Sequence, residues 1–266
     1  MSQHPLEAWC GAIPTKMGQA FPGERVVFRG FDLHVDLFDM SWLELNLFGI
    51  TGKRFTQAEL KVLDYVLACT SYPEPRIWNN RVATLAGTAR TTSTQAMAAA
   101  CAASEAQLFG LQIQHMCGDF LFRCLANKNA GGDLKTFLQD EIEKFKYIKG
   151  YGRPIAAMKL DERIPAVFRK MQEVGISPGQ YTNLAYEVEE CLQSISPGFK
   201  ANYAIIASAI VMDLGLSVRE LTCYMFIIFV AGMSPCYLEA LERPEGATFA
   251  MKCDQIEYTG PGLRSW

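Results

Sequence analysis

The stretch KGYGRPIAAMKLDER, residues 149–163, sets two glycines around a tyrosine, follows them with an arginine and a proline, and closes on an acidic-basic pair. On local grounds it reads as a helix end and a turn, because glycine accepts the left-handed backbone of a C-cap and proline cannot continue a helix. The same residues also read as a loop whose bare backbone lets a ligand come close, with Arg153 behind it as a fixed cation. The surrounding chain bears on which reading holds.

Upstream, after the loop NKNAGGD (127–133), LKTFLQDEIEKFKYI reads as a helix with an exposed face that stops at Gly150. Further back, TQAELKVLDYVLAC opens with a Thr56/Glu59 capping box and puts Leu60, Leu63, Val66 and Leu67 on one face. WNNRVATLAG and TSTQAMAAACAASEAQLFG come next, the second so rich in alanine that a neighbouring backbone can approach it closely. Downstream, SPGQYTNLAYEVEECLQSI carries Pro178 near its first helical position and SPGFK ends it. NYAIIASAIVMDLGL, SVRELTCYMFIIFV with a Ser217/Glu220 capping box, and PCYLEALERPEG complete the helical series. RVVFRGFDL (25–33) is the plainest strand or hairpin arm. With roughly ten helices and no internal repeat, the expected class is mostly α.

The 266 residues are enough to bury a sizeable core in one large domain, or in a large and a small one. A formal charge of −3 offers no electrostatic case for a nucleic-acid or anionic-membrane partner. The apolar run LTCYMFIIFVAGMSPCYL (221–238) is broken by Gly232, Ser234 and Pro235, so two buried helices are expected there rather than a membrane span. Nine cysteines stand singly, without zinc-site spacing. Their odd number and a start without a signal peptide point to reduced thiols in a cytoplasm. No metal is expected. His34 and Asp36 fall on one side of a strand, but Asp32 and Asp39 have the look of turn carboxylates.

Seven segments in order resemble the citrate synthase family, which includes the short citryl-CoA lyases. NRVATLAG is similar to its Arg-Val-Ala segment, LFGLQIQ (108–114) to its Leu-His-Gly-Leu-x-x-Gln turn, and GYGRPI to its Gly-Tyr/Phe-Gly-His-Pro loop. DER (161–163) is similar to Asp-Pro-Arg, NYAIIASAIVMDLGL to the Asn-Val-Asp helix, LERP to Glu-Arg-Pro, and YTGP to the terminal Tyr-x-Gly-Pro. The resemblance implies a mostly helical homodimer with a large domain (1–112 and 206–266) and a small one (113–205) that closes over a cleft. It implies a coenzyme A thioester as substrate or ligand, with no permanently bound cofactor, and a carbon-carbon bond made or cleaved beside the thioester carbonyl. Gly150, Tyr151 and Gly152 would face the coenzyme. Arg153 and Asn202 would act in the chemistry, and Arg163, Arg243 and Phe109 would line the substrate, with Lys252 an equal match for the arginine that crosses the dimer.

The departures from that pattern are chemical. Phe109 stands where the family has its enol-stabilising histidine, and Ala204 where it has its base aspartate; neither can carry a proton. Arg153 replaces the acceptor-polarising histidine and would stabilise an oxyanion while serving poorly as a proton shuttle. An acceptor-binding histidine expected near residue 71 is replaced by surroundings that offer Tyr72 and Arg76, and one carboxylate-binding arginine by a side chain near Phe229. Losing a positioned base forfeits a factor of about 10²–10⁴ in proton abstraction, so ordinary citrate synthesis is not expected.

Each candidate also has a plain structural alternative. Arg163 would pair with Asp161 or Glu162, Asn202 would be an N-cap, and Arg153 would be a surface cation. His115 would point away from Phe109, since six residues span more than one and a half helical turns. Cys101, Cys117 and Cys124 would be small buried hydrophobes.

Overall fold

A computed structural model describes residues 11, 13–152, 160–195, 198–247 and 252–265. Among them are eleven α-helices and one three-stranded antiparallel sheet, so the mostly α class holds. The chain packs as two units: residues 1–69 with 114–225, and residues 70–113 with 226–266.

The first unit opens with β1 (Gly18–Phe21), β2 (Arg25–Phe28) and β3 (Phe31–Asp32). β2 and β3 pair Val27 with Asp32 and Phe28 with Phe31 across a two-residue turn in which Arg29 (φ 49°) and Gly30 (φ 87°) are both left-handed. Such a turn matches the twist of the strands it joins. Arg29 tolerates the conformation with its guanidinium on the carbonyl of Gly49, 2.8 Å away. His34 and Asp36 lie beyond β3 in a turn, not on a strand: Asp32 accepts from the N–H of His34 and of Val35, and Asp36 from the N–H of Asp32.

α1 (Trp42–Thr51) and α2 (Gln57–Ala68) follow, and both arms of the Thr56/Glu59 box close at the start of α2. α5 (Leu111–Asn129), α6 (Leu134–Phe145), α7 (Arg163–Glu173), α8 (Gln180–Ile195), α9 (Tyr203–Asp213) and α10 (Val218–Met225) complete this part. α6 ends short of Gly150, because Lys146 takes the left-handed cap itself (φ 67°) with its N–H on Ile142. α9 is the core helix: nine of its eleven residues are buried, apolar on every side as an internal helix must be. Asp213 at its end accepts from the backbone N–H groups of Gly179, Tyr181 and Thr182, satisfying the donors that a helix start leaves unpaired.

The second unit is built on α3 (Trp78–Thr88), α4 (Ser93–Ala103) and α11 (Ile227–Leu241) around Ala83, Ala96, Ala100, Met233 and Tyr237. A Cβ added to Gly87 would stand 2.7 Å from the Tyr237 carbonyl and 2.8 Å from the Ala240 Cβ, so α3 and α11 are in backbone contact there. The alanines of α4 serve the same end. The run 218–241 is two helices, α10 and α11, but they part at Phe226 and not at Gly232, Ser234 and Pro235, which all lie inside α11; by length and composition the run is also sufficient to cross a membrane, and half of it is buried within the protein.

Candidate functional site

Gly150, Tyr151 and Gly152 form a short cross-link against the residues that lead into α9. Tyr151 bridges Ala201 antiparallel, with Gly152 N–H on the Lys200 carbonyl (2.7 Å) and Asn202 N–H on the Gly150 carbonyl (2.8 Å). Both glycines are left-handed, at φ 89° and 84°. A Cβ on Gly150 would lie 2.5 Å from the Ile205 Cβ and 3.0 Å from the Cys117 Sγ, so no other residue fits. The Tyr151 side chain does not face outward. It is buried, edge-on to Phe120, and its hydroxyl donates to the Ala185 carbonyl at 2.9 Å. Burial drives that phenol far above its usual pKa.

Asn202 is the N-cap of α9, as its structural alternative holds. Its Oδ1 accepts from Ala204 N–H (2.9 Å) and its Nδ2 donates to the Gly152 carbonyl (2.9 Å), so one side chain ties the glycine loop to the helix start. Glu189 adds a further tie by accepting from Ala201 N–H at 2.9 Å.

Arg163 opens α7 and grips Asp161 with both prongs, Nε to Oδ1 at 2.8 Å and Nη2 to Oδ2 at 2.7 Å. The carboxylate is almost wholly buried while the arginine side chain keeps 23% exposure, so one end of the pair still reaches solvent. Asp161 also accepts from Tyr203 N–H (3.0 Å), and the guanidinium carbon lies 4.8 Å from the Tyr203 ring centre. The Tyr203 hydroxyl is 2.7 Å from the Cys69 thiol at the end of α2. Burial pushes the phenol well up, and burial likewise raises the Cys69 thiol, while its hydrogen bond to Tyr203 and the Arg163 charge pull it down.

The first unit therefore gathers Gly150, Tyr151, Gly152, Asn202 and Arg163 around the start of α9. Arg153 lies outside the described residues. Ala204 is half-buried with its N–H on Asn202, and brings no proton-carrying group to that turn. Asp161, Tyr203 and Cys69 are the members that sequence reasoning did not assign to the site. Only the Asp161–Arg163 pairing had a local signal.

Phe109 and Arg243 belong to the second unit. Phe109 is left-handed (φ 54°) and partly exposed in the connection before α5. Arg243, just past α11, pairs with Glu239 at 3.0 Å on the surface, and Lys252 is exposed. Phe229 packs on the alanine-rich core and accepts from Asn79 at 2.7 Å; Arg76 pairs with Glu74 in the open. His115, in the first unit, is exposed with Nδ1 3.1 Å from Thr222 Oγ1. Cys117 and Cys124 are buried; burial pushes both thiols up, that of Cys124 to about 12, which makes them packing groups and not nucleophiles. Among the described residues no group of three or more histidine, cysteine or acidic side chains is arranged to hold a metal.

A cavity of ≈ 90 Å³ adjoins the glycine loop, lined by Ile148, Tyr151, Leu192 and Phe199 with Lys146 and Tyr147. Its walls are mainly apolar.

No family model and no curated protein matches the chain at the level of sequence. Solved structures match it in shape. Citryl-CoA lyase from Hydrogenobacter thermophilus superposes with a TM-score of 0.82 at 18% identity, over 95% of this chain and 96% of that one. ATP citrate lyase from Methanothrix soehngenii, solved with citrate and coenzyme A, gives 0.75 at 15% identity, over 94% of this chain and 42% of that one. Citrate synthase from Thermotoga maritima gives 0.66 at 16% identity, over 86% of this chain and 60% of that one. The chain has the fold of the citrate synthase-like family.

Proposed function

We propose that this protein acts on a coenzyme A or carrier thioester, forming or cleaving a carbon-carbon bond beside the thioester carbonyl without the usual histidine and aspartate. What carries the reading is the end-to-end superposition on citryl-CoA lyase, together with a glycine loop pinned to the start of α9 beside a small apolar cavity. The loop and cavity would take part of the coenzyme. Arg153 and Asn202 would serve the reacting carbonyls, Asn202 through its place beside the loop. Arg163, Arg243 and Phe109 would line the acceptor. Closure of 113–205 over the rest belongs to the same proposal, as do a cytoplasmic setting and a homodimer. The dimer draws support from the exposed apolar side chains of Val230, Leu238 and Leu241 on α11 and Leu85 on α3.

With Phe109 and Ala204 at the two proton-handling positions, the substrate is one that needs no strong base: a donor with an acidic α-carbon, or one that decarboxylates to its enolate. Fixed guanidinium and backbone donors would then supply electrostatic stabilisation of the developing oxyanion. The test is purified protein with a panel of acyl-CoA thioesters, including malonyl-type donors and citryl-CoA, with and without keto acids, followed by free thiol and product mass. Thiol release that Arg153→Ala abolishes supports the enzyme.

A second reading, a coenzyme-A-binding homodimer without turnover, is favoured by the commitments of Asn202 and Arg163, each already engaged inside the protein. Saturable coenzyme A binding with no product across the panel selects it, and no binding at all defeats both.

A further inference from the structure

Tyr203 sits between the capping asparagine and Ala204, and its ring is wholly buried. Two features of this one residue meet the Arg163–Asp161 pair, the ring at the guanidinium and the backbone N–H at the carboxylate. The ring face lies under it, 4.8 Å from ring centre to Cζ. The backbone N–H reaches Asp161 Oδ2 at 3.0 Å, the same oxygen that accepts Arg163 Nη2 at 2.7 Å. The ring is anchored in its turn, with its hydroxyl 2.7 Å from the Cys69 Sγ and 3.4 Å from the Val66 carbonyl, both at the end of α2.

A guanidinium on a flexible stem loses rotamer freedom when it binds an anion, and one already fixed loses little. An aliphatic residue at 203 would fill space but would offer no negative ring face to a cation. Phenylalanine would keep the face and give up only the anchor. Burial holds the phenol protonated far beyond the ordinary range.

We propose that Tyr203 is a positioning residue for Arg163: with Asp161 it sets the plane in which that arginine presents N–H groups to a carboxylate-bearing ligand. The ligand clause rests on the function proposed above; the positioning clause does not.

The experiment uses the full chain and two probes: phenylglyoxal, with modification of Arg163 followed by peptide mass, and citrate, titrated by calorimetry. Tyr203→Leu should speed Arg163 modification and weaken citrate by about five-fold or more each, while Tyr203→Phe stays within about two-fold of the parent in both. Leu121→Ala, a core truncation on α5, controls for general loosening and should leave the Arg163 rate unchanged. An unchanged rate in Tyr203→Leu, or an equal rise in Leu121→Ala, overturns the proposal. A faster rate in Tyr203→Leu with no citrate binding by the parent keeps the positioning role and removes the carboxylate ligand, leaving the enzyme reading to the thiol assay. Should the leucine variant not fold, the parent decides by NMR: the Arg163 Nε–H and δ-methylene protons are shifted upfield by the ring, and unshifted resonances sink the idea.

Discussion

At the start of α9, Asn202, Asp161, Arg163, Glu189 and the loop carbonyls converge, and almost every close approach is a directed hydrogen bond. In the α3–α4–α11 core the close approach of main chains is steric, with Gly87 against the Tyr237 carbonyl and the Ala240 Cβ, although directed bonds such as Asn79 to the Phe229 carbonyl and Tyr237 to the Thr91 carbonyl also tie the region. Both regions bring main chains near one another by opposite means. The first relies on orientation, the second mainly on small side chains that set distance. Polar networks are costly when partly satisfied, so loss of a polar side chain in the first region should be felt as an unpaired group, whereas bulk added at a glycine in either region should be felt as a collision.

Alkaline pH separates the two most strongly. The first unit buries Cys117, Cys124, Tyr151, Tyr203 and Tyr224 with pKa values raised by burial, whereas in the second unit Cys236 is the one described group so raised. A raised folded value means that stability is intact below the ordinary thiol and phenol values of about 8.5 and about 10, and is lost as pH climbs toward the folded ones. Amide exchange, corrected for its intrinsic rate, should show protection falling above about pH 9 in α5, α8 and α9 before it falls in α3 and α4. Simultaneous loss would refute the contrast.

Next in size is Gly150→Ala, which forces a left-handed alanine into the Ile205 side chain and should cost about 3–4 kcal/mol in urea unfolding. Gly87→Ala meets the Tyr237 carbonyl and the Ala240 Cβ from a helix that alanine otherwise favours, so its net cost should be smaller, about 1–2 kcal/mol. Near-equal values would mean that the two regions yield alike. Asn202→Ala removes a cap and one loop bond, for about 1–2 kcal/mol, and should also weaken coenzyme A if the loop is part of its site; Asn202→Asp should restore the cap but not the bond to Gly152.

What could be read beforehand was local. The Thr56/Glu59 and Ser217/Glu220 boxes are spaced three residues apart and both form. The alanine-rich segment became α4, and the turn at Gly150 lay where glycine required it. The partners of that turn could not be read, because Asn202 and Ile205 are more than fifty residues away and nothing in either segment names the other. Tyr203 and Cys69, 134 residues apart, give no periodic or spacing signal at all. α6 ends earlier than its sequence suggests, because a lysine adopting the left-handed cap leaves no trace in composition. The resemblance supplied what local patterns lack, an arrangement of distant segments, and the shape comparison upholds it for the fold.

Asp213 spans more than a helix end. By holding the first turn of α8 from the last residue of α9, while Glu189 holds the chain just before α9, it leaves the two antiparallel rods fastened near both extremities. Such a pair resists shear, so a tug on the residues flanking Tyr151 would swing both rods as one stiff arm, arriving at position 179 with little lost in between.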